Sequence, residues 1–168
     1  MGASLPTVQT VTHITVDIQG TSVSNAGASD MSQLLFSSCS APDWSIEASK
    51  HVFHGQDGKP EQIISGVQNP AYGTMSLTQG WDPQNVLAHW MNQISDPSVA
   101  IADKKAQVTV VFMDSTSQPL FQWVGTGALL TGLSHSPSEA SSNGVLTINA
   151  TIDADTWQLQ GGSGGSPL

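Results

Sequence analysis

The sequence predicts a mainly β fold: a β-sandwich or small barrel with one flanking α-helix at about residues 83–95 and a long inter-strand loop. Short segments in which apolar and polar residues alternate recur along the chain, which is the mark of half-buried strands. One stretch alone carries helical spacing instead. The length of 168 residues leaves room for one ordinary domain, expected over 1–160 with a flexible Gly/Ser tail at 161–168.

The first strand falls at 11–18, where Ile14, Val16 and Ile18 oppose His13, Thr15 and Asp17. Residues 20–30 have the composition of a turn or loop. Two further strands are expected at 34–39 and 44–53, parted by the breaker Ala41-Pro42-Asp43. The stretch from Phe53 to Tyr72 is polar and carries Gly and Pro, yet Ile63, Ile64 and Val67 give it apolar teeth that a solvated linker does not need. It reads either as an ordered arm reaching another surface or as a plain β-hairpin excursion. Residues 73–79 alternate again, with Met75 and Leu77 opposed to Thr74, Ser76 and Thr78.

The helix follows. Asp82-Pro83 supplies an N-cap and a proline for the first turn. Behind it Val86, Leu87, Trp90, Met91 and Ile94 form one apolar packing face, and Ser95-Asp96-Pro97 ends the helix. Residues 107–113 are β-branched and apolar on both faces, which suits a central strand. Strands at 120–124 and 145–152 complete a set of seven or eight, with Leu146, Ile148, Ala150 and Ile152 sharing a face.

Composition excludes several functions. The net charge is −9, from 13 acidic residues against four Lys and no Arg. A phosphate-binding surface is therefore not expected, because nucleic-acid affinity comes mainly from neutralising backbone charge. Charged residues make up only 10% of the chain, against about 25% in ordinary domains. No run of about 18 apolar residues exists to span a membrane, and the first residues show no basic patch leading into an apolar stretch. The expectation is a soluble, acidic domain made inside the cell.

Chemistry-bearing residues are few. His51 and His54 stand beside Asp57, but a spacing of three along a strand places them on opposite faces, which disfavours a metal site. His89 lies beside the apolar face of the helix, and His13 and His135 stand alone. Gly161-Gly162-Ser163-Gly164-Gly165 fits a nucleophile-elbow pattern only in form, lacking the strand and helix that present the serine. Cys39 has no basic neighbour in sequence to activate it, and as the single cysteine it allows no intrachain disulfide. Asp153 and Asp155 share a face if the last strand continues, the one arrangement here that resembles a carboxylate pair. No catalytic residue, metal or cofactor is assigned. What the composition favours is assembly: few lysines guard the strand edges, and Ser, Thr, Asn and Gln cover the strand faces.

The order of segments resembles the T4-like phage tail tube family over residues 12–157. That family includes the inner tubes of contractile injection systems and, more distantly, the type VI secretion tube protein. The resemblance is densest at Ser65-Gly66, Tyr72-Gly73, Met75, Leu77, Gly80 and Trp90, with a second match in the strand from Val108 to Asp114 and the aromatic strand at 120–124. Thr78-Gln79 stands where the family often has a Lys-Arg pair, so neutral hydrogen bonds would replace cross-subunit ion pairs.

The resemblance implies a structural subunit, not an enzyme, that forms six-membered rings around a continuous inner barrel and stacks them into a hollow tube. The loop residues Gln56, Asp57, Lys59, Glu61, Ile63, Ile64, Val67 and Tyr72 would reach the adjacent subunit or ring. Sheath, baseplate and tail-terminator proteins would be partners, and DNA or protein cargo would pass without specific binding. The chain would be made in the bacterial cytoplasm and assembled into a virion tail or injection particle, and its acidic balance would suit a channel wall that sheds acidic cargo. The residues alone leave open a monomeric β-sandwich adhesion or carbohydrate-binding module and, third, a hydrolase built on Asp153 and Asp155.

Overall fold

The computed structural model describes residues 11–20, 34–54, 60–67, 70–80, 85–136 and 146–161. Its strands are β1 (His13–Gln19), β2 (Leu34–Phe36), β3 (Ser38–Ser40), β4 (Trp44–Ser45), β5 (Ala48–His54) and β6 (Pro60–Val67). They continue with β7 (Ala71–Tyr72), β8 (Met75–Gly80), β9 (Ala106–Met113), β10 (Pro119–His135), β11 (Thr147–Asp153) and β12 (Thr156–Gly161). Helices α1 (Val86–Ser95) and α2 (Ile101–Lys104) lie between β8 and β9.

Eight strands form one antiparallel sheet in the order β2-β1-β9-β10-β11-β8-β3, with β12 added beside β10. It is not closed as a barrel. Its two ends are nevertheless one piece of chain. β2 pairs with β1, β3 pairs with β8, and Ser37 joins them, donating both its N–H (2.8 Å) and its hydroxyl (3.0 Å) to the carbonyl of Thr78.

β10 has a similar double allegiance. Its first half pairs with β9 on one side and β12 on the other, and its second half pairs with β11. Register shifts near Gly125/Ala128 and Leu130/Gly132 let one strand turn from one wall of the sandwich to the other.

The alternating segments bury the faces their periodicity predicts. Val16 and Ile18 of β1, Met75 and Leu77 of β8, Val108 and Val110 of β9, and Ile148 and Ile152 of β11 meet in one core. Each such side chain removed from water contributes about 1.5–3 kcal/mol. β9 lies between β1 and β10, the central place its two apolar faces require. From α1, Val86, Leu87 and Trp90 are buried in this core, while Met91 and Ile94 pack against it half-exposed.

Several boundaries differ from the sequence reading, and twelve strands are described where seven or eight were expected. The expected strand at 44–53 is two, because the chain leaves β4 at Ile46 before β5 begins. Much of the stretch expected as a long loop is strand: β6 returns along β5 from Pro60↔His54 to Val67↔Ala48, and β7 pairs with β4. The expected strand at 120–124 is only the start of the 17-residue β10. β12 was not expected at all, and its Gly161 was assigned to the tail. The predicted cap at Asp82-Pro83 lies outside the described residues. The described helix begins at Val86 behind Asn85, whose φ of 52° is left-handed and whose side chain makes no capping bond.

Candidate assembly surface

Three features of the exterior are unlike the surface of an ordinary monomer. The first is the β5–β6 ribbon. Among the described residues its strands pair with each other and with no further strand, and it carries Val52, Ile64 and Val67 at 58%, 61% and 67% exposure. Lys50↔Ile64 and Val52↔Gln62 are opposed across it, so Val52 and Ile64 share one face. An isolated two-stranded ribbon is marginal in water. At its base the small β4–β7 sheet exposes Trp44 and Ile46 by about half. Trp44 also meets Trp123 of β10 edge-on, with ring centroids 6.2 Å apart.

The second feature is open strand edge. β12 pairs only with β10, leaving its other edge without a partner strand among the described residues. Residues 129–134 of β10 pair with β11 on one side, while on the other side the β9 ladder ends at Ala128↔Ala106 and no further partner strand lies among the described residues. No lysine, and no proline beyond Pro119, lies in either strand. These are the residues that usually blunt such edges.

The third is a neutral face. Across four strands run the rows Ser38, Thr78, Asn149, Ser134 and Ser40, Ser76, Thr151, Gly132. None of the eight is charged. Thr78 Oγ1 donates to Asn149 Oδ1 at 2.8 Å, and Thr78-Gln79 is split between this face and the core, where Gln79 is 3% exposed. Gln79 Nε2 has no hydrogen-bond partner there.

Of the residues singled out in the long stretch, Gln56, Asp57 and Lys59 lie outside the described residues. Glu61 and Ile63 sit on β6 opposite Phe53 and His51, Ile64 and Val67 are exposed on the ribbon, and Tyr72 is half-buried against the core. Sequence reading missed Val52, Trp44 and Ile46. Their signal was present, since apolar residues occur there within an otherwise polar segment, but it was absorbed into a single buried strand.

Of the residues weighed for chemistry, Asp57 and Ser163 lie outside the described residues. Asp155 is engaged by Lys105 at 2.6 Å, and Asp153 ends β11 opposite Leu129. Burial pushes the Cys39 thiol up to about 11, so at neutral pH it is protonated and a poor nucleophile. Among the described residues, no three His, Cys, Asp or Glu side chains are grouped to hold a metal ion.

Open edges, a projecting ribbon and a neutral sheet face define a structural protein that completes itself with other chains. The family model for T4-like virus tail tube protein gp19 matches residues 11–158, and the chain belongs to that family. It is a structural tube subunit, not an enzyme. Nothing among curated proteins matches the sequence.

Solved structures share the fold. A chain in the anti-feeding prophage (AFP) baseplate superposes with a TM-score of 0.65 at 16% identity, covering 95% of this chain and 98% of that one. A chain of the PVC sheath-tube complex, an extracellular contractile injection system, gives 0.61 at 19% identity, with 92% of each chain covered. Hcp1 from Salmonella typhimurium gives 0.54 at 12% identity, covering 95% and 92%. None of this supports the alternative of a monomeric adhesion or carbohydrate-binding module. No helix among the described residues is long and apolar enough to cross a membrane.

Proposed function

We propose that this chain, as one domain, forms hexameric rings that stack into the hollow inner tube of a contractile phage tail or a phage-tail-like injection particle. DNA or protein cargo passes through the bore without specific binding. Sheath, baseplate and tail-terminator proteins are its partners, and it is made in the bacterial cytoplasm before entering the particle. The observation that carries this reading is the pair of strand edges, at β12 and at residues 129–134, that have no partner strand among the described residues. An antiparallel neighbour placed on either edge would satisfy backbone groups that no described strand pairs, and closing a ring removes both edges at once.

The β5–β6 ribbon is the arm of this assembly. Val52, Ile64 and Val67, with the loop residues Gln56, Asp57, Lys59, Glu61 and Ile63, contact the adjacent subunit or the next ring. Tyr72 anchors the arm's return to the body. The α1 face of Val86, Leu87, Trp90, Met91 and Ile94 stays within the subunit, covering the end of the sheet. Negative-stain electron microscopy of concentrated protein is expected to show rings or rods of one width. A monodisperse monomer at every concentration would overturn the reading.

A further inference from the structure

We propose that the Lys105–Asp155 ion pair is an orienting pin for assembly. It fixes the corner of β10, and so the direction in which the edge of residues 129–134, without a second partner strand among the described residues, leaves the subunit. The inference rests on the ring-forming reading above and adds to it the residues that aim one of its edges.

The corner is narrowly located. Ala128↔Ala106 is the last pairing of β10 with β9, and Leu129↔Asp153 is the first with β11. Between these two registers the strand passes from one wall to the other. Lys105 immediately precedes Ala106, and Asp155 lies two residues past Asp153. Lys105 Nζ donates to Asp155 Oδ2 at 2.6 Å, and the Asp155 N–H donates to the Thr126 carbonyl at 3.0 Å.

Gly127 sits at the same point with φ +67°, packed so closely that a Cβ would overlap the Asp155 carboxylate. The start of β9, the corner of β10 and the β11–β12 connection are thus held together at one carboxylate. The edge that β9 leaves begins at Leu129, two residues beyond Gly127. A chain with four lysines and 13 acids places one lysine here, where its charge is engaged by Asp155.

Both partners are partly exposed, at 34% and 59%, so the pair is weak as a source of stability and salt-sensitive. Its effect is on geometry. Loss of the pin lets the corner fluctuate and spreads the angle of the edge, which a closing ring cannot tolerate.

The test uses Lys105→Met, which keeps the aliphatic stem and removes the charge, and the swap K105D with D155K. In dilute, unassembled protein, amide exchange at Asp155 is expected to quicken about two- to fivefold in Lys105→Met, in line with an exposed ion pair. In concentrated protein, Lys105→Met is expected to give fewer rods, or rods of altered helical twist, and the swap to restore the wild-type form. Wild-type exchange at Asp155 in Lys105→Met overturns the pin. Faster exchange with unaltered rods overturns its role in assembly. If the wild-type protein itself forms no rods, the ring-forming reading falls and the assembly role with it, while the exchange measurement still decides the local contact.

Discussion

At the scale of the residue, the fold depends on a few positions where a side chain is either fully enclosed or forbidden. Trp157 is completely buried because Gly125 leaves room for its ring: a Cβ at Gly125 would lie 2.6 Å from the indole. Gly125→Ala is expected to cost about 1–3 kcal/mol through overpacking, read as a lowered thermal unfolding midpoint. An unchanged midpoint would mean that the indole has another place to go.

Asp114 governs a turn in a different way. Its Oδ1 accepts the Thr116 N–H (2.8 Å), the Thr116 hydroxyl (2.7 Å) and the Gln118 N–H (2.9 Å), closing the connection from β9 to β10. These bonds, led by that from Gln118, hold its pKa below the ordinary carboxylate value. A group whose folded pKa is lowered stabilises the fold fully above its unfolded pKa, and that contribution is lost as pH falls through the folded value. Amide exchange at Thr116 and Gln118, corrected for its intrinsic pH dependence, should therefore show protection that declines only below about pH 4. In Asp114→Ala the protection should be absent throughout. Equal protection in the two proteins would show that the ladder alone shapes the turn.

At the scale of the element, legibility followed the simplicity of each segment's environment. β1, β8 and β9 each have one pattern along their whole length: alternation found β1 and β8, and a run of β-branched residues apolar on both faces found β9. The packing side chains of α1 recur at helical spacing, and five apolar residues within nine positions were enough to locate it. β10 was read short because Gly125-Thr126-Gly127 has turn composition, whereas in the fold these residues carry the strand round a corner. β12 was missed because TWQLQG runs straight into glycines, and only its partner β10 makes it a strand. The β5–β6 ribbon was undecided for a related reason: its apolar residues satisfy no core of their own.

That last point yields a prediction for the element. Val52→Asp combined with Ile64→Asp changes two exposed side chains, so the isolated subunit should lose little stability, about 0.5 kcal/mol per site. Carboxylates trapped at a contact between copies are far more costly, and rod yield should fall at least about tenfold. Sedimentation and thermal unfolding separate the two effects. Undiminished rods would remove the ribbon from the assembly surface.

At the scale of the whole molecule, charge and topology divide the labour. The chain carries 13 acids against four lysines, yet none of the residues in the rows Ser38, Thr78, Asn149, Ser134 and Ser40, Ser76, Thr151, Gly132 is charged. Sequence composition cannot report such a segregation, because strand register alone decides which residues share a face. The candidate surface was legible only in kind: unguarded strands were visible as a scarcity of lysine, while the two edges left over could be named only once every pairing was known.

The passage of residues 34–40 from β1 to β8 has a mechanical side. A sheet that curls round a core is ordinarily weakest along the seam where its margins meet, since dispersion forces alone bridge the gap. Here a backbone strap crosses it at Ser37. Prying the margins apart means first unzipping the β1–β2 or the β3–β8 ladder, so a tensile load across the seam falls on backbone hydrogen bonds placed in series with a covalent link.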